Sequence, residues 1–127
     1  MITTKAAFSG FSVNDLAKAK DFYTSVVGLE LENEMMGLQF KLPGGGKVYV
    51  YEKKNHEPAT YTMLNLVVDN IDQAVDELGK SGVAMEKYDG MGQDEKGIAR
   101  GRSQNRGPDI AWFKDPAGNI LSVMQPE

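Results

Sequence analysis

The sequence contains no cysteine and a single histidine, His56. The first absence removes disulfide scaffolds, iron–sulfur clusters and thiol nucleophiles, and the two together remove zinc fingers and any site built on two imidazoles. A basic surplus is also missing: 14 Lys+Arg against 18 Asp+Glu leave a formal charge of −4. A general nucleic-acid binder needs a concentrated basic face for the phosphate backbone, so none is expected. No apolar run approaches the roughly 20 residues of a membrane span. The opening MITTKAAFSG has neither the basic region nor the hydrophobic stretch of a secretory signal, and a cytoplasmic protein is expected. What is present is ordinary for a globular chain: 127 residues, 41 % hydrophobic and 25 % charged, the size of one domain.

The chain repeats itself once. Phe8-Ser9-Gly10-Phe11-Ser12-Val13-Asn14-Asp15-Leu16 runs on to Ala19 and Tyr23. Met63-Leu64-Asn65-Leu66-Val67-Val68-Asp69-Asn70-Ile71 runs on to Ala74 and Leu78, at a constant offset of 55 residues. Each half opens with a β-prone apolar run, meets an Asx pair and turns into an amphipathic helix. Asn14 in the first half, and Asp69 or Asn70 in the second, are N-cap candidates, since a short side-chain oxygen can accept from the free N–H groups of a first turn. The first helix is expected to bury Leu16, Ala19, Phe22, Tyr23, Val26 and Val27, and the second Ile71, Ala74, Val75 and Leu78, both sets spaced as one helix face. Gly28 and Gly82 stand where a left-handed residue ends each helix.

Three strand-like segments follow each helix: about 29–34, 37–42 and 46–53, then about 83–87, 109–114 and 119–125. Pro43-Gly44-Gly45-Gly46 and Asp115-Pro116-Ala117-Gly118 supply the hairpins, proline presetting φ and glycine accepting a positive value. Each half therefore reads βαβββ, an α+β architecture of two modules, about 1–56 and 57–127, within one domain. The hairpin glycines Gly46 and Gly118 are 72 apart rather than 55, so the second half carries about 17 extra residues. They fall in Tyr88 to Pro108, rich in glycine and charge. Loops of this length are usually functional or disordered. Two readings stand: a solvated excursion, or a lid whose Arg100 and Arg102 meet an anion through forked hydrogen bonds.

Val13-Asn14-Asp15-Leu16 with Ala19 and Phe22-Tyr23 before Val27-Gly28-Leu29, the later Val68-Asp69-Asn70-Ile71, and the closing Asp115-Pro116-Ala117-Gly118-Asn119-Ile120-Leu121 resemble the glyoxalase / bleomycin-resistance / extradiol-dioxygenase superfamily, the vicinal oxygen chelate proteins. The resemblance spans nearly the whole chain. It implies two tandem modules, each a curled mixed sheet around a cavity with its helix outside, and commonly a homodimer. In metal-dependent members a divalent ion sits among His, Glu or Gln from the first and last strand of each module. Counting from the motifs puts those positions at Phe8, Val50, Met63 and Ser122. None is a plausible ligand for such an ion, which takes carboxylate and imidazole. The resemblance therefore implies no metal and no cofactor, and it weighs against glyoxalase or dioxygenase chemistry.

What it leaves is a pocket for a small organic ligand, in the manner of the bleomycin-resistance proteins. Strand alternation groups Phe8 with Gly10 and Ser12, Met63 with Tyr61 and Asn65, and Ser122 with Ile120 and Met124. Phe8, Gly10, Ser12, Tyr61, Met63, Asn65, Ser122 and Met124, with Val50 and Trp112, are the candidate lining residues, either enclosing a ligand or plugging the cavity themselves. Trp112 and Phe113 alternate, so one must face inward. Tyr49 and Tyr51 are expected in the core on the helix-packed face, and Lys47, Lys53 and Lys54 on a solvated one. His56 is expected to be exposed in the inter-module linker. The rival reading is an enzyme: a glyoxalase-like lyase or dioxygenase relative with non-standard or no metal ligands, or a metal-independent isomerase using His56, Tyr61 or a loop arginine.

Overall fold

The first apolar run forms strand β1 (Ser9–Val13), and helix α1 (Leu16–Asp21) starts on Asp15, whose carboxylate accepts from the Lys18 N–H at 3.1 Å. The cap is thus Asp15 and not Asn14: the side chain that reaches the third helical N–H must come from the last extended residue, and Asp15 is that residue, at φ −155°. In the second half Asn70 caps helix α2 (Ile71–Lys80) through the Gln73 N–H at 3.0 Å. Asp15 and Asn70 are again 55 apart. The end of the first helix widens into a π-helical turn, Phe22–Val26, in which Val27 N–H reaches the Phe22 carbonyl at 3.0 Å. Gly28, at φ +83°, then lets Leu29 N–H close on the Tyr23 carbonyl at 2.8 Å. Ala19, Phe22 and Tyr23 are buried; Leu16, Val26 and Val27 are only half-buried.

The computed structural model describes residues 1–127 and resolves two compact units, Met1–Pro58 and Ala59–Glu127. In the first, β1 is followed by β2 (Glu30–Asn33), β3 (Leu38–Lys41) and β4 (Lys47–Glu52), in a mixed sheet of order β1-β4-β3-β2 with β1 parallel to β4. In the second, β5 (Thr62–Val67), β6 (Ala99–Arg100), β7 (Asp109–Lys114) and β8 (Ile120–Gln125) form the same pattern, order β5-β8-β7-β6 with β5 parallel to β8. Neither sheet closes on itself.

The expected strand over 83–87 does not form. Its only ladder-like bond runs from Glu86 N–H to the Trp112 carbonyl at 2.8 Å, while the Glu86 carbonyl is taken by the Gln93 side-chain amide at 2.8 Å. The edge of the sheet is completed by the two-residue β6, drawn from inside the long excursion, where Ala99 faces Ile110 and Arg100 faces Asp109.

Tyr23 lies under the first sheet with its ring 5.6 Å from Phe11, 5.2 Å from Phe22 and 5.8 Å from Phe40. Val48 and Val50 are buried on this covered side. Tyr49 and Tyr51, expected in the core, stack on each other on the opposite face with ring centroids 6.0 Å apart. Alternation fixes that the two pairs point opposite ways but not which pair meets the helix. The small Gly10 and Ser12, which face Tyr49 and Tyr51 across the β1–β4 ladder, leave room for the rings on the uncovered face. No helix is long and apolar enough to cross a membrane.

Candidate functional site

Across the second sheet, Asn65 on β5, Ser122 on β8 and Trp112 on β7 stand in one row of the ladder. The Ser122 hydroxyl, fully buried, donates to Asn65 Oδ1 at 2.6 Å. The β5–β8 register shifts between Thr62 and Leu64, which sets Thr62 beside Ile120 and leaves Met63 half-buried at the irregularity. Thr60, Tyr61, Thr62, Tyr88, Trp112 and Ile120 line a recess of about 200 Å³. Trp112 is therefore the inward member of its pair, and Phe113 is fully buried opposite Leu121. A wider groove in the first unit, about 620 Å³, passes Leu16, Lys20, Glu34, Met36 and Glu52, and no aromatic ring lines it. The Lys20–Glu34 ion pair at 2.9 Å belongs to its wall.

Tyr88 reaches the recess from the long excursion. The Glu86–Trp112 backbone bond brings the chain alongside β7, and Gln93 secures it: Oε1 accepts from Tyr88 N–H at 2.7 Å, and Nε2 donates to the Glu86 and Gly97 carbonyls at 2.8 and 2.7 Å. The Tyr88 ring then packs edge-on to Trp112, centroids 5.6 Å apart and planes at 72°. Its hydroxyl is buried and has no hydrogen-bond partner. Burial, then the nearby Glu86 carboxylate, pushes the phenol up from its ordinary value, against a smaller opposing effect of Lys114.

Arg100 and Arg102, which on the lid reading would face an anion, tie the excursion to its own unit. Arg100 forks onto both oxygens of Asp72, at 2.8 and 2.9 Å, and donates from Nε to Asp94 at 2.9 Å. Lys96 bridges Asp72 and Asp76 at 3.1 and 3.0 Å. Arg102 meets the buried Asp109 through its backbone N–H (3.0 Å) and its guanidinium (3.4 Å). The chain's own carboxylates, Asp72 in the first turn of α2 among them, thus occupy the forks and pin the excursion at Asp94, Lys96, Arg100 and Arg102.

The Arg100 guanidinium and then the Lys96 ammonium hold the Asp72 carboxyl well below the usual carboxylate range. For Asp94 partial burial pushes upward, but the Ile98 N–H, Arg100 and the Lys96 N–H outweigh it and the carboxyl stays low. Folded-state values below the unfolded ones mean that this stabilisation is fully present above about pH 4 and is lost as pH falls further through the folded values. The melting temperature should therefore hold steady from pH 7 to 5 and drop below pH 4. In Asp72→Asn the drop should be shallower; an acid profile identical to that of the parent would contradict the clasp.

Of the residues expected to line a cavity, Tyr61 and Trp112 do line the recess. Ile120, which alternation places on one face with Ser122, lines it too, as do Thr60, Thr62 and Tyr88, for which the sequence carries no signal. Phe8 is 68 % exposed and lies before β1, so it plugs nothing. Val50, fully buried on the covered side, is a core residue and not a cavity residue. Tyr49 pairs with Gly10 as Ser122 pairs with Asn65, and Gly10 and Asn65 are related by the 55-residue offset, so the position equivalent to Ser122 is Tyr49. Tyr49 donates its hydroxyl to the Met36 carbonyl at 2.9 Å. Gly10 and Ser12 lie on the uncovered face of the first sheet, and Met124 is half-buried opposite Val67. His56 is not a free linker residue: half-buried, its Nδ1 lies 2.6 Å from Ser12 Oγ.

A family model described as the Glyoxalase/Bleomycin resistance protein/Dioxygenase superfamily matches residues 7–123. The chain belongs to this superfamily. Its two tandem βαβββ-like units are the superfamily's architecture, and solved structures share the fold. TnmS3, an antibiotic binding protein from Streptomyces sp. CB03234, is 26 % identical with a TM-score of 0.71, covering 100 % of this chain and 99 % of that one. A superfamily member from Sphaerobacter thermophilus DSM 20745 is 23 % identical, TM-score 0.66, over 98 % and 99 % of the two chains. FosX, a fosfomycin resistance protein from Listeria monocytogenes, is 17 % identical, TM-score 0.73, over 99 % and 96 %. No curated protein matches the sequence.

Proposed function

We propose that the protein binds a small organic molecule through the recess of its second unit, without a resident metal ion, and holds it rather than converting it. The recess itself carries this reading: one tryptophan, two tyrosines and an isoleucine with two threonines is the mixture of apolar walls and few polar groups typical of organic-ligand sites. The antibiotic binding of TnmS3, a relative of nearly equal length, supports it. So does the donor chemistry at the superfamily's metal positions. Phe8, Tyr49, Met63 and Ser122 offer a ring, a phenol, a thioether and a hydroxyl, and both hydroxyls are engaged, with Met36 and Asn65. These groups do not fit a divalent ion, whose dehydration needs carboxylate or imidazole. On the same reading the protein acts as a homodimer, with the exposed Val67 among the apolar residues available to an interface.

Trp112 is the only tryptophan, so its indole signal reports on the recess alone. Screening aromatic and amphipathic antibiotics should yield at least one compound that raises the melting temperature and perturbs Trp112, since a ligand of the native state stabilises it. Trp112→Ala should weaken that compound at least tenfold. A panel without a single melting shift overturns the reading. One observation favours a metal-independent enzyme instead, the Ser12–His56 contact, which sets an acid–base group against a hydroxyl. Mass spectrometry separates the two: a bound compound recovered unchanged after prolonged incubation supports sequestration, and a new product supports the enzyme.

A further inference from the structure

The hydroxyl of Tyr88 is the one buried side-chain polar atom with no hydrogen-bond partner. Proteins rarely leave such a group unpaired, because its lost hydration is not recovered. This one belongs to a residue that lines the recess together with the only tryptophan and the exposed Tyr61. Resting on the binding function proposed above, we infer that Tyr88 is a specificity residue: its O–H donates to the ligand, which is a flat, neutral aromatic molecule bearing a hydrogen-bond acceptor, a carbonyl oxygen or a ring nitrogen.

Each part of that description has a source. Flatness follows from the walls, since Trp112 and Tyr88 meet edge to face and a recess of about 200 Å³ admits a one- or two-ring fragment rather than a bulky aliphatic. The need for an acceptor follows from the unpaired O–H, because a phenol that stays protonated through the physiological range offers a donor at every working pH. Neutrality follows from Glu86, whose carboxylate acts on the Tyr88 phenol and is only partly countered by Lys114 at 3.3 Å. An anionic ligand would be repelled by that nearby carboxylate, and a ligand whose only polar atom is a protonated nitrogen has no acceptor to offer the phenol. Thr60 and Tyr61, both exposed at the start of the second unit, line the same recess.

Three probes of nearly one shape separate the terms: isoquinoline, with a ring-nitrogen acceptor and neutral at pH 7.5; naphthalene, with none; and indole, a donor. Affinities come from titrating the single Trp112 indole N–H resonance in a 15N-labelled sample of the whole chain. Isoquinoline should bind about tenfold more tightly than naphthalene or indole, a difference of about 1.4 kcal/mol. Tyr88→Phe keeps the ring and removes only the hydroxyl, so it should erase the isoquinoline advantage and leave naphthalene unchanged. The same variant should melt at the parent temperature or above it, because it removes an unpaired buried group; a hydroxyl with a structural partner would lower the melting temperature instead. Equal binding of isoquinoline and naphthalene, or an advantage that survives in Tyr88→Phe, overturns the inference and leaves the binding function standing. Failure of all three probes to bind, with antibiotics also inert, overturns both.

Discussion

Tyr23→Ala is expected to lower the stability of the protein by about 3–5 kcal/mol, the cost of truncating a large, fully enclosed aromatic. The side chain is 0 % exposed and packs against Phe11 from β1, Phe22 from its own turn and Phe40 from β3. It therefore joins the helix to two strands, and no single neighbour can collapse into the void. The π-helical turn that carries it is closed at its end by the Leu29 N–H bond to the Tyr23 carbonyl, which further limits relaxation. Against a total of about 5–15 kcal/mol for a typical domain, the loss is a large share of what holds the fold. Phe8→Ala provides the contrast. Phe8 is mostly in water, and its truncation should change stability by no more than about 0.5 kcal/mol. Denaturant unfolding of the two variants beside the parent checks both values. A Tyr23→Ala loss under 1 kcal/mol would mean that the aromatic cluster does not support the first sheet.

That contrast also marks where the sequence was readable. Both residues are aromatic, sit near repeat motifs and look alike in composition. Tyr23 is placed by helix periodicity, which needs only its spacing from Ala19 and Phe22. Phe8 is placed by where a strand begins, one residue later, and nothing local sets that boundary. The duplication, the helix ends and both hairpins are local signals of this first kind: an Asx cap, a glycine stop, a proline followed by glycine. The choice between Tyr49 and Val50 is of the second kind. Period two says they oppose each other, and only packing of Tyr23 beneath the sheet decides that the valine goes inside. The recess was half legible for the same reason. Trp112 and Ile120 lie on alternating strands and Tyr61 directly before one, whereas Thr62 is shifted by a register irregularity and Tyr88 is delivered by Gln93 from a segment with no period at all. The arginines misled because a guanidinium is equally suited to a ligand's anion and to Asp72, and residues 28 apart in sequence give no hint that they meet.

Asp115→Ala should cost about 3 kcal/mol and loosen the recess as well as the fold. Asp115 is almost wholly buried in the turn between β7 and β8, and its carboxylate accepts from three donors at 2.9 Å: the backbone N–H groups of Ala117 and Asn119, and the Asn119 side-chain amide. The turn is closed on the backbone as well, by Asp115 N–H to the Asn119 carbonyl and by Gly118 N–H, at φ +87°, to the Asp115 carbonyl. Alanine removes the acceptor and strands those donors; each buried donor left unpaired costs about 1–3 kcal/mol, and some will recover water as the turn opens. Asp115→Asn should cost less, because its carbonyl oxygen still serves the two backbone groups, but its amide then points a donor at the Asn119 amide. This turn also fixes the register that sets Trp112 across from Ser122 and Lys114 across from Ile120, so the walls of the recess depend on it. The Trp112 indole N–H resonance should consequently broaden or shift in Asp115→Ala at temperatures where the chain is still folded, with Asp115→Asn between it and the parent. A variant that unfolds with the parent's midpoint and leaves Trp112 unmoved would show that the carboxylate is dispensable to the hairpin, and that Pro116 and Gly118 alone hold it.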